Sequence, residues 1–421
     1  MHAPPRSEKG EPMDAGRTLI LAVDGLEAFE ATSLLHAPDT RTLTVRPGGP
    51  SESAPALASL TTGATVAHTG VATEEPFDPT APERRSTWYS AAMRAQTLFC
   101  RVREAGGMCA ALQWPATAGS DIDLCLPLVE DLRHYRNRWQ MTEATSSPRM
   151  VAEHLAQRRA AGVQLSQVAP DALVAEIAEE ALVAGRIDLM AVRLTGLGAA
   201  RRCAGLDGPE VSRSLSDTVE AIQRIRSAFA TQTDDRVVLV PGRPLVPTAL
   251  LVHPNTELAA AGLLRTDGTR IAQFRALVWP DGPRGVIHVR REEPAAVREQ
   301  TLAALRELGA HTRLTLREVA DGVGATRETD VIGVLEGTPG TVFGLPATHR
   351  PLVDGEDPYY AGPRAVSDPS APTVTSARGP GLPEGPVEGS WADLGVTLAT
   401  AMGVQLPDAT ASGMRGMVQP V

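Results

Sequence analysis

The sequence predicts an α/β fold with a mainly parallel sheet covered by helices on both faces, and three observations predict it. RTLILAVDGL (Arg17–Leu26) is a continuous apolar run that ends at Asp-Gly, as a strand buried on both faces reads. DALVAEIAEEALVAG (Asp171–Gly185) carries apolar residues at helical spacing between a starting Asp and a closing Gly, and leads directly into the apolar strand RIDLMAVRL. A third unit, a helix expected from Ser214 to about Ala230, delivers the chain to DDRVVLVPGRP, a strand that stops abruptly at Pro241-Gly242-Arg243-Pro244. Such β-α-β alternation builds parallel sheets, and ligands bind outside the carboxyl ends of their strands.

The remaining segments follow in order. Residues 1–16, MHAPPRSEKGEPMDAG, are polar and Pro/Gly-rich without an apolar stretch, so a disordered tail and not a signal peptide is expected there. From about 253 to 346 the pattern changes. GVIHVRREEP alternates like a half-exposed strand and AAVREQTLAALRELGA is an amphipathic helix, which together suggest a small α+β insertion. The main core then comprises 17–252 and 347–421. A Pro/Gly-rich passage (351–386) precedes a last helix, SWADLGVTLATAMGV.

Composition excludes several functions. A net charge of −10 argues against a nucleic-acid partner, which needs a basic face. No window approaches the roughly 18 uncharged apolar residues of a membrane span. Cys100, Cys109, Cys125 and Cys203 show neither paired spacing nor accompanying histidines, so buried free thiols in a cytoplasmic protein are expected. Lys9 is the only lysine, which weakens any argument from one arginine.

AVDG after the first strand, followed by SAPALASLTTGATVAHTGV (Ser53–Val71), resembles the opening of the alkaline phosphatase superfamily, in its type I phosphodiesterase/nucleotide pyrophosphatase branch. FDP (Phe77–Pro79), REAGGMCAALQWP, DVIGVLEGTPGTVFG and GPGLPEG continue the resemblance in order. It implies an alkaline phosphatase-like core. It also implies Ser53, nine residues before Thr62-Gly63, as nucleophile and Asp24 as a group beside it. In that family two divalent metals, usually zinc, activate the hydroxyl and neutralise the phosphoryl group. Here the positions of the remaining ligands fall on Gly198 and Arg202, on Gly242 and Arg243, and, less securely aligned, on Arg364; no histidine follows His349. The family's phosphate-binding Asn falls at Glu74.

Arginine stays protonated and offers no lone pair, so it cannot ligate a metal but makes bidentate contacts to phosphate. The expectation is a pocket without metal or cofactor. Ser53 and Asp24 are its reactive pair, and Arg202, Arg243, Arg364 and Glu74 face an anionic, phosphorylated small molecule. A homodimer is compatible with the sequence. Plainer readings stand beside each residue: Asp24 as a turn residue, Ser53 as a loop serine, Arg202 as a solvated neighbour of Arg201, Arg243 as part of a turn. His134 and His154 read as helix-surface residues. Three functions remain open: a metal-independent descendant that binds or converts a phosphorylated ligand, a scaffold without ligand, and a working hydrolase with metal ligands elsewhere.

Overall fold

Strand β1 (Thr18–Val23) is completely buried, because the two faces of its apolar run pack on different helix layers. The computed structural model describes residues 16–416 other than 36–38, 47–51, 80–86, 132–133, 166–169, 311, 320–323 and 385. Residues 1–15 of the expected tail lie outside the described residues.

In chain order the elements that place the site begin with β2 (Arg41–Val45), α1 (Ser53–Thr62), β3 (Cys109–Leu112) and β4 (Leu124–Leu126). Next come α2 (Asp171–Ala184), β5 (Leu189–Leu194), α3 (Gly196–Ala204), α4 (Pro209–Phe229) and β6 (Arg236–Pro241). Then follow β7 (Ala276–Asp281), β8 (Arg284–Arg290), α5 (Ala295–Ala310), β9 (Thr315–Glu318) and β10 (Thr329–Glu336). The chain closes with β11 (Thr373–Arg378), β12 (Val387–Gly389), α6 (Trp391–Ala401) and β13 (Arg415–Gly416).

The main sheet has nine strands in the order β13-β12-β2-β11-β6-β1-β5-β3-β4. β1 runs parallel to both neighbours, with Val23 opposite Leu194 on β5 and Pro241 on β6, and only β11 and β13 run against the rest. Successive side chains of a strand point to opposite faces. Leu19, Leu21 and Val23 therefore share a core with Ile177 of α2 and Ile222, Ile225 and Phe229 of α4. Ile20 and Ala22 pack on Leu57 and Leu60 of α1 and Leu394 and Leu398 of α6. Each such buried leucine or isoleucine contributes about 1.5–3 kcal/mol relative to an exposed one.

Three expectations need correction. The helix expected to begin at Ser214 starts at Pro209, because proline, lacking an N–H, fits the first turn, where that donor has no partner anyway. GVIHVRREEP is not half-exposed. β8 occupies an inner position of a four-stranded antiparallel sheet ordered β7-β8-β10-β9, and Gly285–Val289 are all buried. Ile287 packs in one core with Leu302 and Leu305 of α5, while the His288 ring lies 4.5 Å from that of Phe77. His154 is likewise buried, with Nδ1 3.1 Å from Glu180, and not a helix-surface residue.

Candidate active site

The carboxyl edge of β1 is built by backbone groups before any side chain enters. Asp24 N–H donates to the Leu194 carbonyl at 2.9 Å, and Gly242 N–H donates to the Val23 carbonyl at 2.9 Å, so three strand ends are clamped side by side. Arg201 of α3 is buried and fixes the following turn, donating to the Gly25 carbonyl and, at 2.8 Å, to Glu30. It is thus no surface residue.

Ser53 is the first residue of α1, and its Oγ–H donates to Asp24 Oδ1 at 2.8 Å. The other carboxylate oxygen, Oδ2, accepts from Arg193 Nη2 at 2.7 Å and Nε at 3.2 Å. Burial alone would raise the Asp24 pKa. The Arg193 charge and hydrogen bond outweigh that, helped by Arg202 and the Ser53 hydroxyl, and hold the carboxyl below its ordinary range. Glu74 completes a ring: its Oε1 lies 3.5 Å from Arg193 Nη1, and its Oε2 accepts from the Ala54 N–H at 2.6 Å. A carboxylate on the first amides of a helix is favoured by the helix dipole.

Asp24, Ser53, Arg202 and Arg243 line one narrow pocket with Glu52 and Trp391, and the space open to the centre of a water molecule there is only about 20 Å³. A wide cavity of about 540 Å³ shares Glu52 and Arg202 with it and is also lined by Glu74, Asp281, Gly282 and His349. Arg202 therefore stands at the junction. Its guanidinium is 3.8 Å from Glu52, a loose pair. Burial, with Asp281, Glu74 and Asp24 nearby, pushes Glu52 up to about 7 against the opposing pull of Arg202. Arg243 sits deeper, is 6% exposed, and donates to the Ala371 carbonyl at 3.1 Å. Burial and the charge of Arg284 push it down to about 10.

Arg364 is not brought into this pocket. Its side chain lies over the Tyr360 ring and donates to the Gly355 carbonyl at 3.2 Å, while its backbone N–H donates to the Arg202 carbonyl at 2.6 Å. Its role here is to anchor the end of α3 through its backbone. Two groups escaped the sequence reading. Arg193 carries a signal that could have found it, a lone charge inside the buried run LMAVRL, since buried charges require partners. Glu52 carries none beyond its place next to Ser53.

The zinc pair that the resemblance implies does not suit this donor set. Asp24 Oδ2 is taken by a guanidinium, and arginines stand at 202 and 243. Gly198 has no room for any side chain, because a Cβ there would stand 2.7 Å from Asp24 Cβ. Among the described residues no group of three or more His, Cys, Asp or Glu side chains could hold a metal ion. No helix among them is long and apolar enough to cross a membrane.

No curated protein matches the chain in sequence. Among solved structures, the murine ectonucleotide pyrophosphatase/phosphodiesterase 5 is similar at a TM-score of 0.57 and 14% identity, covering 94% of this chain and 97% of that one. An inactive form of the murine protein in complex with AMP and the human protein are similar at a TM-score of 0.56, with the same identity and coverage. This likeness shows the fold: an α/β, alkaline phosphatase-like core. In sequence, residues 22–325 match the type I phosphodiesterase/nucleotide pyrophosphatase family. With the strand-end aspartate, the helix-start serine and this match over most of its length, the chain belongs to the type I phosphodiesterase/nucleotide pyrophosphatase family.

Proposed function

We propose that this protein is a metal-independent, phosphodiesterase-like member of its family that binds a phosphorylated small molecule in the wide cavity, with the phosphate against Arg202. One observation carries the reading: Arg202 is the basic side chain shared by the Asp24–Ser53 pocket and the cavity large enough for a ligand. The narrow pocket has room for about one water, so the phosphate belongs at its mouth and Arg243 acts on it from behind. The chemistry favours binding over fast hydrolysis. A carboxylate held ionised below its usual range is a weak base, so Asp24 orients the Ser53 hydroxyl but does little to remove its proton at neutral pH. The free thiols of all four cysteines fit a cytoplasmic setting.

A guanidinium–phosphate contact in a partly desolvated cleft is worth about 1.5–3 kcal/mol. Arg202→Ala is therefore expected to weaken binding of AMP and inorganic phosphate about tenfold to a hundredfold in calorimetric titration, with the melting temperature nearly unchanged because Arg202 is 35% exposed. Any turnover of a chromogenic phosphodiester should persist in chelator. Equal binding by parent and variant, or activity abolished by chelator and restored by zinc, would overturn the reading.

A further inference from the structure

Arg193 occupies an unusual place. It lies on β5 opposite Ala22 of β1, in a strand whose six residues are all buried, and its side chain is 7% exposed. It does not line the narrow pocket or the wide cavity. A guanidinium in such surroundings is strongly disfavoured unless both its charge and its N–H groups are answered. They are answered by Asp24 at 2.7 Å and Glu74 at 3.5 Å, the carboxylates that respectively receive the Ser53 hydroxyl and the Ala54 amide. The ring Arg193–Asp24–Ser53–Ala54–Glu74 closes on itself at the start of α1.

We propose that Arg193 is a resident internal cation standing in for a metal ion: it binds Asp24 and Glu74 together and so positions Ser53. It is a positioning residue, because it reaches the pocket only through those carboxylates. Two acidic groups converge on one cation between β1, β5 and the segment carrying Glu74, and a planar fork spans them where a lysine could not. One consequence distinguishes this role from ordinary packing. Without the guanidinium, the buried Asp24 and the partly exposed Glu74 carboxylates face a vacated space beside a serine hydroxyl, and such a set attracts small cations, which bind through one or two carboxylates and water. The proposal rests on Asp24 and Ser53 as the site but not on phosphate binding by Arg202, so the two can fail separately.

The test uses the full chain. Thermal melts of the parent, Arg193→Ala and the triple variant R193A/D24N/E74Q are recorded with no addition, with millimolar Mg²⁺, Mn²⁺ or Zn²⁺, and with millimolar guanidinium chloride. The Arg193→Ala variant should melt below the parent and regain at least about 3 °C with guanidinium or a divalent ion, while the parent and the triple variant do not respond. A variant that melts within about 1 °C of the parent, or that no added ion raises, overturns the proposal. If R193A does not fold, D24N/R193M serves instead. Recovery of a folded protein by that neutral pair supports a charge-compensating role, and its failure to fold overturns it.

Discussion

Changing Gly198 to aspartate, the residue the family pattern would place there, is expected to destabilise the protein by about 3 kcal/mol or more. A Cβ at 198 would lie 2.7 Å from Asp24 Cβ and about 3 Å from the Asp24 backbone, neither of which can swing aside while β1 is clamped between β5 and β6. Gly25, at φ +79°, presses on the same spot from the other strand end, since a Cβ there would come 2.7 Å from Gly198 Cα. Overpacking of this kind costs about 1–3 kcal/mol, and a second carboxylate beside Asp24 adds the penalty of a buried like charge. Urea unfolding should show a lower midpoint for G198D than for G198A, and lower for G198A than for the parent. Midpoints that coincide would show that α3 can retreat and that the site has room for a further ligand after all.

The four-stranded sheet of β7 to β10 should carry a specific acid sensitivity. His288 is 1% exposed beside Phe77, with Nδ1 3.2 Å from Thr329 Oγ1, and burial pushes its pKa down to about 3 from an ordinary 6.5. The folded protein holds it neutral. Between pH 6.5 and 3 the unfolded chain binds the proton that the folded one refuses, so stability falls as pH falls across that window. The loss approaches about 3–5 kcal/mol at its lower end. His288→Phe removes the titration, and Thr329 Oγ1 keeps Thr326 Oγ1 at 2.9 Å as partner. The difference in unfolding free energy between parent and variant should change in the variant's favour by several kcal/mol from pH 7 to pH 4. A difference independent of pH would mean that the ring is reached by water or by an acid in the folded state.

What the sequence alone determined is whatever rests on local periodicity and on motif order. Apolar runs of strand length, a helix bounded by Asp and Gly, and the strand-end Asp24 with Ser53 beside it were legible because each depends on residues close in the chain or on a family pattern read in order. The burial of β8 was not legible, because alternation along one strand does not reveal that Phe77, more than 200 residues earlier, and α5 cover its two faces. The partners of the charged groups were decided only by the tertiary structure. Arg193 and Asp24 are 169 positions apart, and nothing in either segment names the other. Arg364 aligned with the site but its side chain turned to Tyr360, leaving its backbone to hold Arg202. The physical reason is that periodicity fixes which face a residue occupies, whereas the end of a long charged side chain goes to whichever opposite charge, carbonyl or aromatic ring the packing of distant segments brings within reach.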